Sequence, residues 1–258
     1  MTSPDHVVGL AGKSRSRADF DEREFAGLVE RSSRFVWERA SPCPCSSVNG
    51  QTRQSNPTCA RCRGAGVFWY GVPDYVPDET VTGPLSLTQR ALLRRNDGVI
   101  VRGFIKSATY TETPNDTIGR WFWGATRISV RPENRVGYYD RFFALDSEIS
   151  ITQVIDMPAG LALTPRFPII EALSLFSDTD RFAPGQDFTV EGGVLTFDPA
   201  SVPDPGTVLS LRYLTFPAWL VTNYPHVVRA TSVKKKKSIQ APQDLVLEAE
   251  IKLEYEIE

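Results

Sequence analysis

The chain's four cysteines, Cys43, Cys45, Cys59 and Cys62, all fall within CPCSSVNGQTRQSNPTCARCRGAG, residues 43–66. One residue separates the first pair and two separate the second, so each pair can supply two ligands from a single tight turn. The intervening loop then has only to bring the two turns together around a tetrahedral zinc ion. Gly64 and Gly66 follow the second pair, where the chain must bend round the metal with its amides aimed at sulfur, a bend that favours positive φ. Four protein ligands leave no open coordination position, so such an ion holds a fold and does not hydrolyse a substrate. The competing chemistry is disulfide formation. Cys43 and Cys45 are too close to bridge each other without strain and would have to cross to Cys59 and Cys62. A chain with one compact group of four cysteines and no signal peptide is unlike a disulfide-stapled secreted domain. A redox Cys-x-x-Cys would leave the first pair unexplained and lacks a thioredoxin-type surround.

Two further patterns could act on charge. From Leu245 to Glu258 the odd positions are apolar and the even ones include Glu248, Glu250, Lys252, Glu254, Glu256 and Glu258. Strict period two predicts a strand with one buried and one acidic face, extending roughly 45 Å at about 3.3 Å per residue. Val227–Val233, Lys234–Lys237 and SIQAPQ precede it, so residues 219–258 read as a long hairpin with Lys234, Lys235, Lys236 and Lys237 near its tip. The lysines either keep an edge soluble or meet phosphate or the acidic face of a neighbouring copy. His6 and His226 lie in no catalytic or metal pattern. The chain has no phosphate loop, Gly-x-Ser-x-Gly, His-Glu-x-x-His or dinucleotide fingerprint, and no enzyme is expected.

The elements that must position these residues are mostly strands. Residues 1–17 read as a mobile arm. Phe25, Leu28, Val29, Ser32, Phe35 and Val36 recur at helical spacing, which predicts an amphipathic helix over Asp19–Arg39, capped by Asp19 or Ser16 and ended before Pro42. A short strand is expected at Val67–Tyr70 and a helical segment at Leu85–Arg94, with Arg90, Arg94 and Arg95 on a solvated end. Strands are then expected at Val99–Tyr110, Trp121–Val130, Glu148–Ile155, Ile169–Ser177, Phe188–Val190, Val194–Phe197 and Val208–Thr215. Turn chemistry such as Gly192-Gly193 and Pro203-Asp204-Pro205-Gly206 separates them. The fold class is mainly β, a sandwich or barrel-like domain with a long C-terminal hairpin, plus an N-terminal helix and a small zinc-binding loop. The expected division is arm 1–17, helix and four-cysteine module 18–80, and β-rich domain 81–258.

Composition agrees with a globular chain: of 258 residues, 41% are hydrophobic and 10% aromatic, ample for a core. Lysine plus arginine total 29 against 31 acidic residues, so nucleic-acid affinity would have to come from local patches. No apolar run suggests a membrane span, and a soluble protein made in the cytoplasm is expected.

The succession WERASPCPC (37–45), then NPTCARCRGAGVFWYG (56–71), resembles the N-terminal zinc-type segment of neck proteins at the head-to-tail junction of tailed bacteriophages. VRPENRVGYYDRF (130–142), residues 181–213 and the ending 224–258 are similar in kind, so the resemblance covers most of the chain. CARCRGAG also resembles one zinc-binding repeat of J-domain co-chaperones, but those carry several such repeats and this chain has one. The resemblance implies a virion protein made in the host cytoplasm and assembled as a ring of copies. Portal or adaptor protein would lie above it, tail proteins below, and genomic DNA would pass through the lumen. The glutamate face (Glu248, Glu250, Glu254, Glu256) would then line the channel, and Lys234–Lys237 would make subunit contacts. The alternative is a zinc-stabilised nucleic-acid-binding adaptor in which Arg53, Arg61, Arg63 and the lysine run grip phosphate.

Overall fold

A computed structural model describes residues 27–45, 47–49, 52–54, 56, 58–62, 64–107, 126–131, 133–223, 230–231, 234–235, 238–239, 243–244 and 247–254. The arm 1–17, both candidate helix caps and both histidines lie outside these residues. The first half of the chain supplies strands β1 (Ser33–Pro42), β2 (Ser47–Asn49), β3 (Thr52–Gln54) and β4 (Val67–Tyr70), helices α1 (Glu79–Thr82) and α2 (Leu87–Arg95), and strands β5 (Val99–Ser107) and β6 (Thr126–Val130). There follow β7 (Arg141–Ala144), β8 (Ile149–Asp156), β9 (Ala162–Leu163), β10 (Glu171–Phe176), β11 (Arg181–Phe182), β12 (Phe188–Glu191), β13 (Val194–Phe197) and β14 (Val208–Thr215). The C-terminal hairpin comprises β15 (Ala218–Asn223), β16 (Ala230–Thr231), β17 (Lys234–Lys235), β18 (Ser238–Ile239), β19 (Gln243–Asp244) and β20 (Leu247–Leu253).

The largest sheet runs β4-β1-β5-β6-β20-β15-β7, and β7 pairs back with β1, so the sheet curls until β7 meets β1, with β4 continuing from the far end of β1. All these pairings are antiparallel. Alternate residues of each strand point inward, which is why Phe35, Val101, Ile128, Phe142, Val221 and Ile251 form one buried cluster. Phe142 lies at its centre, with Phe35 edge-on and Trp37 parallel to it, both at ring-centroid distances of 6.3 Å. The interior is packed with side chains and is not a pore.

Residues 145–217 are inserted between β7 and β15, two strands that pair with each other. They fold into a sheet β11-β10-β14-β8 and a smaller one, β12-β13-β9. Between these sheets and the outer face of the barrel lies a second core that includes Val36, Ile100, Phe143, Leu175, Leu211 and Phe197. Helix α2 adds Leu92 and Leu93 to it. The start of α2 is fixed by a reciprocal cap: Gln89 N donates to Ser86 Oγ at 3.2 Å, and Ser86 N donates to Gln89 Oε1 at 2.9 Å.

The first element differs most from the sequence expectation. The helix expected over Asp19–Arg39 is, among the described residues, a single turn at 27–30, and Ser33–Arg39 belongs to β1. Phe35, Val36, Trp37 and Glu38 are consecutively buried because this strand is covered on both faces: Phe35 and Trp37 enter the barrel, and Val36 enters the second core. A strand covered on both sides gives a continuous apolar run, which periodicity alone does not distinguish from a buried helix. The turn at 27–30 closes where Ser32 Oγ donates to Val29 O at 2.6 Å. It follows that β1, expected within an N-terminal module, is an integral barrel strand. Of the other described elements, β4, β13 and β14 have the expected bounds and α2 is shifted by about one turn or less, whereas α1, β2, β3, β7, β9 and β11 were not expected.

Candidate metal centre

The cysteine loop is the closure of a hairpin. β1 and β4 pair antiparallel from Arg39↔Tyr70 to Pro42↔Val67, and the ladder continues one step further as Cys43 N donates to Gly66 O at 2.8 Å. The chain therefore leaves β1 at Cys43 and re-enters β4 just after Gly66. Between them, β2 and β3 form a small hairpin over Ser47–Gln54, around Asn49 and Thr52. The second turn is built by Asn56, whose Oδ1 accepts from Thr58 N and Oγ1 and whose carbonyl accepts from Cys59 N at 3.1 Å. Gly64 and Gly66 both have positive φ, 87° and 72°, as expected for a chain wrapping its amides around sulfur.

The four Sγ atoms lie within 4.8 Å of one another. Cys43 Sγ is 3.8 Å from Cys59 Sγ, and Cys45 Sγ is 3.4 Å from Cys62 Sγ. None of the four is in a disulfide, whose bond would be about 2.05 Å. The arrangement is compatible with a metal ion held by all four. Cys43 and Cys62 are buried and Cys45 and Cys59 half-buried.

Backbone amides prepare thiolates here. The amides of Cys62 and Arg61 lower the Cys59 thiol to about 6. Cys62 is also lowered: burial opposes this, but the Cys45 side chain and the amides of Gly66 and Gly64 outweigh it. Cys45 accepts from the Asn56 amide, which pulls it down, yet Cys62, burial and the other two thiols together raise it to about 12. A thiol lowered to about 6 at Cys59 beside one at Cys45 that still needs a cation to ionise suits a metal that binds with proton release. On the outer side of the loop the Arg61 guanidinium lies 3.9 Å from the Phe68 ring centroid, so this arginine is stacked. Arg53 lies in β3, and Arg63 is outside the described residues.

A buried ionic cluster joins this loop to the barrel. Glu38 and Arg141 are direct partners across β1 and β7. Arg141 Nε and Nη2 donate to Glu38 Oε2 at 2.8 and 2.5 Å, and Asn96 Nδ2 donates to Glu38 Oε1 at 3.0 Å. Glu254 Oε1 lies 3.5 Å from Arg141 Nη1 and 3.4 Å from Arg166 Nη2. Trp69 of β4 covers the Arg141 guanidinium at 3.9 Å, and its Nε1 donates to Tyr139 O at 3.0 Å. Next to it Asp140 accepts from Trp37 Nε1, Gly137 N and Ala40 N. Burial raises the Asp140 carboxyl against the pull of these donors.

Glu254 departs from the acidic face expected along the last strand: only 2% exposed and ion-paired, it cannot line a solvent channel. Glu248 and Glu250 lie in β20, opposite Ser129 and Arg127 of β6, while Ala249 and Ile251 of the alternate register are buried as expected. Glu256 is outside the described residues. Lys234 and Lys235 form β17, paired with Ile239 and Ser238, while Lys236 and Lys237 lie outside the described residues. Among the described residues, neither β17 nor β20 pairs with a strand of the cysteine loop. Two of the three α2 arginines are engaged within the chain: Arg90 pairs with Glu79 at 2.5 Å, and Arg95 Nη1 donates to Arg166 O at 2.9 Å. Glu38, Asp140 and Arg141 were missed, although WER and YYDR in the sequence place charges inside aromatic runs, where burial demands partners.

Fold and site thus define a β-barrel protein with an inserted β-layer and a four-thiol hairpin knuckle. No protein-family model and no curated protein matches the chain. No helix among the described residues is long and apolar enough to cross a membrane.

Proposed function

We propose that this chain is a structural protein of the tailed-bacteriophage neck, a subunit of a ring between portal and tail that extends or closes the DNA channel, with zinc in the cysteine knuckle. The observation that carries the reading is the C-terminal hairpin. Its proximal strands β15 and β20 belong to the barrel, but the ladders Ala230↔Asp244 and Lys234↔Ile239 further out pair, among the described residues, only with each other. A two-stranded ribbon is marginal alone, so a neighbour is needed to cover it. The filled barrel supports the same conclusion, since DNA cannot pass through one copy and a conduit has to be the space enclosed by several. Zinc suits the knuckle because thiolates around it would lie about 3.8 Å apart for Zn–S near 2.3 Å, close to the observed 3.8 and 3.4 Å. In this role the ion fixes a loop too polar to make a core, and no catalysis is required of it.

The remaining glutamates Glu248 and Glu250 would repel phosphate along the channel. Glu248→Lys with Glu250→Lys should leave melting unchanged and impair DNA passage; full infectivity of virions carrying both changes removes this assignment. Imaging of purified protein tests the main reading: rings with a central bore are expected, together with one equivalent of zinc and no free thiol titration before chelation. Tight duplex-DNA binding with a steep salt slope would favour the adaptor reading instead.

A further inference from the structure

Strand β8 is the longest edge of the inserted layer, and it is bare. Among the described residues it pairs with β14 alone, over its full length Ile149–Asp156. The opposite edge of the same sheet, β11, is blunted by being two residues long. β8 has no such protection: from Ile149 to Val154 it carries no charge, proline or bulge, and Val154 is 66% exposed. A long, uncharged, unpaired edge is a template for another strand. We infer that this edge receives the lysine-tipped hairpin of a second copy of the chain, an assignment that rests on the ring reading above and names its subunit contact.

Charge selects the occupant. Glu148 and Asp156, both exposed, stand at the two ends of β8. Glu171 on β10 adds a third acid, and Arg212 on β14, bonded to Ser150 Oγ, is the one basic side chain on that face of the neighbouring strands. Two copies of β8 pairing antiparallel about their centre would set Asp156 of each beside Glu148 of the other, so self-pairing is repelled at both ends. The hairpin offers the complementary charge through Arg229 and Lys234–Lys237. In sequence its return segment contains Pro242, which has no amide to donate, whereas residues 226–237 of the outgoing segment contain no proline, so the outgoing segment is the better donor of backbone hydrogen bonds. Donor and acceptor are different surfaces of one chain. Such heterologous contacts propagate into rings instead of closing as dimers.

The test uses full-length, zinc-loaded protein assembled from equal parts of isotope-labelled and unlabelled chain, coupled with a zero-length carbodiimide and digested. The expected products are isopeptides joining Lys234–Lys237 of one isotope to Glu148 or Asp156 of the other. Glu148→Lys with Asp156→Lys should raise the concentration for half-assembly about tenfold or more, like charges at an interface being costly. Adding Lys234→Glu and Lys235→Glu to the same chain should restore it. Loss of assembly without restoration overturns the pairing if the variants melt like wild type; if they do not, the wild-type isopeptides decide. Rings whose inter-copy links run instead to Glu248 or Glu250, or join β8 to β8, overturn this inference and leave the ring reading standing. A chain that stays single at every concentration and inside virions removes both.

Discussion

Around Phe142 each inward side chain is surrounded by others from neighbouring strands, and Phe142, Val221 and Ile128 are fully buried. Between Cys43 and Gly66 the only larger aliphatic residue is Val48, and the buried residues among those described are Cys43 and Cys62 themselves. The barrel owes its order to apolar surface removed from water, at about 25 cal/mol per Å². The knuckle has almost none to remove, and turn hydrogen bonds net only about 1 kcal/mol each. The two regions share one strand pair, β1–β4, yet they must be stabilised by different physics. A hairpin that the proposed ligation would close can vary its surface freely, whereas a barrel strand with both faces covered cannot.

The largest expected effect follows from removing the proposed zinc. Structural zinc contributes on the order of 10–16 kcal/mol to small thiolate sites, far more than the knuckle can replace. Chelation, or Cys62→Ser, should speed amide exchange across residues 43–66 by about a thousandfold or more, corresponding to about 4 kcal/mol. Exchange at Phe142 and Ile128 should stay slow. The mirror experiment is Phe142→Ala, which should cost about 3–5 kcal/mol in urea unfolding with metal stoichiometry unchanged while the chain remains folded. If the loop stays protected without metal, the contrast between the regions disappears.

An intermediate effect tests how firmly the regions are joined. Arg141 lies under Trp69 of β4 and between Glu38 and Glu254, so it belongs to both. Arg141→Met would leave the buried Glu38 carboxylate without its cation and Glu254 with Arg166 alone, and should cost about 3–5 kcal/mol. Adding Glu38→Gln and Glu254→Gln should recover much of that loss, because the penalty lies in the unpaired charges more than in the missing attraction. Metal affinity should weaken in the single variant through the lost stacking on Trp69. An unchanged affinity would mean that the knuckle is autonomous.

The same contrast decides what could be read from sequence. The clustering of the four cysteines was legible, since the spacing of the pairs and the glycines of a wrapping turn are local signals, and Gly64 and Gly66 have the positive φ expected of them. Strands with one wet face were legible too: β14 alternates buried and exposed along Val208–Thr215 and has the expected bounds. β1 was not, because closure of the barrel on one side and the inserted layer on the other erase the alternation that marks a strand. Glu254 failed for a related reason. A period-two pattern assigns faces but cannot know that Arg141 and Arg166 wait on one of them. Ring closure, insertion and buried pairing join residues a hundred or so positions apart, as Glu38 to Arg141 are, and no window of sequence contains both.

The smallest effect separates the regions by acid. Asp146 follows the barrel strand β7; burial pushes its carboxyl up, but the Arg34 amide and guanidinium, bonded at 2.8, 3.0 and 2.6 Å, hold it below the usual carboxylate range. A depressed folded value means that its stabilisation is complete above the unfolded value of about 3.9 and is lost as pH falls through the folded one. The pair is partly exposed, so the contribution should be below about 1 kcal/mol. Asp146→Asn should therefore lower stability slightly at neutral pH and flatten the acid limb below about pH 4. The knuckle must fail earlier, because protons displace a metal from thiolates well before they reach a depressed carboxylate. Following metal release and barrel fluorescence in one acid titration should give two separate transitions, metal first, with only the second moved by Asp146→Asn. A single coincident transition would mean that barrel and knuckle unfold as one unit and that ligation supports the barrel as much as burial does.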